Sequence, residues 1–186
     1  MMNHALLERL AEGGLRGRAA EDAALRERTA RQGQSPWAIV VCCSDSRVIP
    51  ERIFDVGLGE LFVIRVAGNV LDRHQLGSIE YAAAHLHCRL IVVLGHTGCG
   101  AVGAALAGES DGFIRYITDE IAEAIGAESD PLRACEKNVL HAVGRLRAEF
   151  AAHPEAGEAE IVGAVYDILD GSVRFLEGSV CPVQEG

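Results

Sequence analysis

"AIVVCCSDSRV", residues 38–48, ends an unbroken apolar run in two adjacent cysteines, followed at once by an acid and a base. An apolar run without polar alternation is the mark of a strand covered on both faces, as in a parallel sheet. Neighbouring cysteines cannot close an ordinary unstrained disulfide across a trans peptide. Successive side chains of a strand point to opposite faces, so at most one of Cys42 and Cys43 faces any one site.

Three further stretches share the apolar character of Ala38–Cys42: "ELFVIRVAG" (60–68), "RLIVVLGH" (89–96) and "EIVGAVYDI" (160–168). After the last of them Asp170-Gly171 is a turn signal, and "SVRFL" (172–176) is predicted to return as a short antiparallel strand. Helical patterns separate the strands. "GSIEYAAAHLH" (77–87) follows the second, and a helix beginning near Cys99 follows the third. A long helix lies between Ser129 and Phe150, with Asp130 as N-cap and Pro131 in its first position. Its apolar stripe reads Leu132, Cys135, Val139, Val143, Leu146 and Phe150. Strands alternating with helices predict an α/β fold: a mostly parallel central sheet of about four strands, an antiparallel edge strand and flanking helices.

Residues 4–32 carry Leu6, Leu7, Leu10, Ala20, Ala24 and Leu25 at roughly helical spacing, broken by Gly13-Gly14 and Gly17. They predict two short helices in an N-terminal arm. The 186 residues are expected to form a single domain, with an arm at 1–35, a catalytic core at 36–176 and a tail at 177–186.

The composition narrows the function. The chain has 27 acidic against 17 basic residues and a formal charge of −10, so no basic stripe is available for phosphate backbones, and nucleic acid is not an expected partner. Apolar residues make up 49% and mean hydropathy is +0.15, yet no run approaches the roughly 18 apolar residues of a membrane span. A dense core or a large subunit interface would account for both. "MMNHALLERLAEGGLRGRAAED" has neither an apolar h-region nor a small-residue cleavage site, so it does not read as a signal peptide. Six cysteines at irregular spacing read as a cytoplasmic set, free or metal-bound, rather than a disulfide framework.

Functional groups of such sheets gather beyond the carboxyl ends of the strands. Two ends here are chemically unusual: Cys43-Ser44-Asp45-Ser46-Arg47, and "GHTGCG", with His96 and Cys99. A His-x-x-Cys turn offers an imidazole and a thiolate on one side of a loop, and Cys43 from a neighbouring strand could complete the set. Two thiolates and one imidazole suit zinc, and three protein ligands leave the fourth position open, as catalysis requires. Cys99 also sits at a helix start, where the dipole favours a thiolate.

Two other readings compete. "GCGAVG" (98–103) fits the G-x-G-x-x-G dinucleotide fingerprint, but His96-Thr97 intervene after the strand, and the acids at the right distance, Asp119, Glu120 and Glu123, fall in a helical pattern rather than at a strand end. A non-catalytic zinc protein would be expected to add a fourth Cys or His, and no spacing brings Cys88, Cys135 or Cys181 to the other three.

Taken together, "CSDSRV", "LFVIRVAGNV", "GSIEYA", "VVLGHTGCGAV" and "IVGAVYDI" resemble the β-class carbonic anhydrases over about residues 36–176. The resemblance implies one Zn²⁺ per chain on Cys43, His96 and Cys99, with Asp45 and Arg47 as the catalytic pair and CO₂ and bicarbonate as substrates. It implies further that the Gly100 amide holds bicarbonate and that Tyr81 lines the pocket. It also implies a dimer or tetramer with the N-terminal helices on the partner subunit. Cys43 would then face the metal, and Cys42 would enter the other layer as a small hydrophobe. Asp45 would be a fourth zinc ligand only in a closed state. Many relatives carry a substrate-binding glutamine where Val56 best aligns, which opens hydrolysis of carbonyl sulfide or carbon disulfide as an alternative. His85 and His87, two apart on one predicted helix, would face different sides, and His4 and His153 read as solvated.

Overall fold

The computed structural model describes residues 9, 12, 17, 23–156 and 158–177. The chain divides into two compact units, Met1–Ser35 and Pro36–Gly186. In the first, helix α1 spans Ala23–Gln32. Of the other helix expected in the arm, only Arg9 and Glu12 are described, both helical; His4, Cys181 and all but the first residue of the tail lie outside the described residues.

The second unit is built on a five-stranded sheet in the order β2-β1-β3-β4-β5. Its strands are β1 (Ala38–Cys42), β2 (Leu61–Arg65), β3 (Leu90–His96), β4 (Glu160–Tyr166) and β5 (Val173–Phe175). The first four pair in parallel, with Val40 opposite Val63 and Val92, and β5 is antiparallel to β4. Every residue of β1 is buried, as are all but the first of β3, which is why these strands read as continuous apolar runs. Along β1 the side chains alternate. Ile39 and Val41 enter a core with Ile79, Val139, Val143 and Leu146, while Val40 and Cys42 enter another with Val48, Val92, Leu94 and Val162.

Helices α2 (Pro50–Ile53), α3 (Arg73–His85), α4 (Gly100–Leu106), α5 (Arg115–Ile125) and α6 (Pro131–Ala152) complete the unit. The strand order explains where a site can form. The chain leaves β1 toward β2 on one side and returns to place β3 on the other, so the loops after β1 and β3 diverge and open a crevice at the switch point.

Three details differ from the sequence reading. Helix α3 begins at Arg73, four residues before the predicted start, because Asp72 and Gln75 form a capping box. Asp72 accepts from His74 N (2.7 Å) and Gln75 N (3.3 Å), and Gln75 Oε1 accepts from Asp72 N (3.0 Å). It ends at His85, and His87 sits beyond it at φ 58°, so the two histidines do not share a helix. On α6 the Asp130 cap and Pro131 stand as read, but Leu132 is 45% exposed; Ala134 and Asn138 are buried on that helix instead. No helix among the described residues is long and apolar enough to cross a membrane.

Candidate metal centre

Cys43 follows the last residue of β1, His96 is the last residue of β3, and Cys99 is the N-cap of α4. The crevice thereby gathers residues more than fifty positions apart: the ligand atoms of Cys43, His96 and Cys99 all lie within 4.8 Å of one another, and all three residues are buried. The two sulfurs are 3.9 Å apart. Two sulfurs held about 2.3 Å from a tetrahedral zinc would lie about 3.8 Å apart, so the spacing fits that ion. The imidazole fits as well. His96 Nδ1 lies 3.0 Å from the Thr97 carbonyl, to which it can donate, while Nε2 is buried with no hydrogen-bond partner. A buried nitrogen left unpaired is costly, and a metal would satisfy it. Among the described residues no fourth Cys, His, Asp or Glu joins the group.

Charge at the site follows from this packing. The Cys43 thiol is lowered, chiefly because it accepts from the Cys99 thiol and also from the amides of Gly68 and Asp45, with the nearby His96 imidazole favouring the thiolate, against the penalty of burial. Cys99 is pushed up, first by the Cys43 thiolate and then by burial. Two buried sulfurs this close, one of them favoured as thiolate, make a place suited to a divalent cation. Cys42 points away, and burial pushes its thiol up to about 12.

Asp45 and Arg47 stand beside the ligands as a bidentate pair. Arg47 Nε donates to Asp45 Oδ1 at 2.9 Å and Nη2 to Oδ2 at 2.7 Å, and the Arg47 amide adds a third bond to Oδ1 at 2.9 Å. These bonds hold the Asp45 carboxyl well below the usual carboxylate range. Because that pKa is depressed, the stability contributed by the pair is present above about pH 4 and lost only as pH falls through the lowered value. Arg47 Nη2 also reaches the Gly98 carbonyl (3.3 Å), tying the loop after β1 to the loop after β3.

Gly100 is the first residue of α4 and is exposed, so its amide has no acceptor within the helix. Val56 is half-buried in the turn before β2, its amide donating to the Glu51 carbonyl at 3.0 Å. Tyr81 is 47% exposed on α3, with its ring against Phe62 (6.3 Å between centroids) and His85 (5.5 Å). These contacts do not join it to the Cys43–His96–Cys99 group. Asp119, Glu120 and Glu123 lie on α5 and not at a strand end, so the glycines of 98–103 lack the acid of a dinucleotide site.

Sequence reasoning missed Arg65 and Gly68. Arg65 donates from Nε to the Cys43 carbonyl (3.2 Å) and from Nη2 to the Asp45 carbonyl (2.7 Å), fixing the loop that carries ligand and acid. The Gly68 amide donates to Cys43 Sγ at 3.3 Å. An arginine ending an apolar strand and a glycine just beyond it were visible in "VIRVAG", but their targets are set by the pairing of β1 with β2.

The family model described as carbonic anhydrase matches residues 38–173. The chain is 43% identical over 152 residues to carbonic anhydrase 2 of Mycobacterium tuberculosis, an alignment spanning 75% of this chain and 73% of that one. The β-carbonic anhydrase CcaA shares the fold with a TM-score of 0.77 at 25% identity, over 92% of each chain. A structure of the tetrameric β-carbonic anhydrases of Sordaria macrospora gives 0.69 at 25% identity, over 95% of this chain and 96% of that one.

Proposed function

Since the chain belongs to the β-class carbonic anhydrase family, we propose that it is a zinc enzyme hydrating carbon dioxide reversibly to bicarbonate and a proton. The observation that carries this reading is the convergence of two sulfurs 3.9 Å apart with an unpaired imidazole nitrogen. When bound, zinc supplies the positive charge that acidifies a water into a nucleophile near neutral pH. Cys43, His96 and Cys99 would hold it. Two thiolates cancel its formal charge, so the site gains from a further group that orients the water. Asp45, ionised and aimed by Arg47, would accept a hydrogen bond from such a water at a carboxylate oxygen. The exposed Gly100 amide is a donor for a bicarbonate oxygen. Tyr81 is a candidate pocket residue on the family resemblance alone; within this chain its ring contacts lie with Phe62 and His85.

The substrate test is stopped-flow hydration of CO₂ by zinc-loaded protein, run beside carbonyl sulfide turnover at equal concentration. CO₂ is expected to react faster, and Val56→Gln to leave that rate unchanged or raise it. Faster turnover of carbonyl sulfide would make hydrolysis of such sulfur analogues the better reading.

We also propose that the chain assembles as a dimer or a larger even-numbered oligomer, in keeping with exposed large apolar side chains such as Phe113 and Leu169. Sedimentation velocity should show an even-numbered species, and deleting residues 1–32 should weaken it. A stable, active monomer at micromolar concentration would contradict this.

A further inference from the structure

Of the residues buried on α6, Asn138 is the polar amide, 3% exposed among apolar neighbours. A buried amide is costly unless paired, so its partner is informative. Its Nδ2 donates to the Gly68 carbonyl at 2.8 Å, a carbonyl that can only accept. The amide of that same glycine donates to Cys43 Sγ at 3.3 Å.

Gly68 needs such an anchor. It sits at φ 67°, and a Cβ there would lie 2.6 Å from Ile121 Cδ1 and 3.1 Å from Ala101 Cβ. The walls from α5 and α4 thus forbid a side chain that could hold the residue itself, while glycine's own backbone is permissive. The same turn of α6 also presses on β3 beside His96, since a Cβ at Gly95 would fall 2.5 Å from Val139 Cγ2. Hydrogen bonds to a ligating group orient it and tune its charge, and losing such a partner typically costs about 10- to 100-fold in metal affinity or activity.

We propose that Asn138 is a positioning residue for the metal centre: it locks Gly68 so that the Gly68 amide stays on the Cys43 sulfur, and thereby sets how tightly zinc is held. The inference rests on reading Cys43, His96 and Cys99 as zinc ligands. The test uses the full chain, loaded with zinc or with cadmium-113. In the wild-type cadmium protein, NMR should detect a coupling through the hydrogen bond between the Gly68 amide proton and the metal. In Asn138→Leu, which keeps the branched outline, and Asn138→Asp, which keeps the native volume, that coupling should vanish and zinc should pass to a chelator about 10- to 100-fold more readily. Cys42→Ser, which disturbs the core without touching this chain of bonds, should leave both readouts unchanged. A metal-loaded wild type without the Gly68 coupling overturns the inference even if neither Asn138 variant folds. So do folded variants that keep the coupling and the wild-type zinc affinity. If the wild type binds no metal at Cys43 and Cys99, the zinc reading falls and takes this one with it.

Discussion

Asp45→Asn should retain its zinc and hydrate CO₂ about 100-fold or more below the wild-type rate, the lower end of what a positioned proton acceptor contributes. Arg47→Ala should also keep zinc and lose most activity, for a different reason. The guanidinium occupies both Asp45 oxygens, and without it the carboxylate is free to turn toward the open fourth position of the metal. A buried pair would resist that turn strongly, but here the Arg47 side chain is 54% exposed and that of Asp45 16%. Solvent screens such a pair, so the hold is mainly geometric. The crystal structure of zinc-loaded Arg47→Ala should show an Asp45 oxygen on the metal. Near-normal turnover in Arg47→Ala at full zinc occupancy would remove the pair from the mechanism.

The ligand variants should have the largest effect. Replacing Cys43, His96 or Cys99 with Ala should abolish stable zinc binding and, with it, CO₂ hydration, as judged by elemental analysis and stopped flow on the same samples. Cys42→Ser is the informative contrast. Its side chain lies with Val40, Val92 and Leu94 on the other side of β1, so zinc and activity should be kept. Burying a hydroxyl there should cost about 1–3 kcal/mol of stability. Loss of zinc from Cys42→Ser but not from Cys43→Ala would mean that the two side chains face the other way.

What was legible in the sequence was set by local rules. Burial on both faces leaves runs such as Val40-Val41 and Val92-Val93 without polar breaks, and Asp130-Pro131 is a helix start whose chemistry is local. Cys43, His96 and Cys99 could be suggested together because a His-x-x-Cys turn and a second strand-end thiol suit zinc, and the family resemblance implied the same set. Local rules also misled in places. Gly77 looked like the start of α3 only because the capping box at Asp72 and Gln75 went unread. Leu132 fits the stripe by spacing, yet near the start of α6 it is largely open to solvent among the described residues. Arg65, Gly68 and Asn138 were out of reach for another reason: each acts on a group, a backbone carbonyl or the Cys43 sulfur, brought near only by the packed sheet and α6.

The most direct test of the zinc site is to titrate zinc into metal-free wild-type protein while following the initial rate of CO₂ hydration. The account predicts a rate that rises linearly and breaks at about one zinc per chain. Full activity in the metal-free protein, or none at full zinc occupancy, would contradict it.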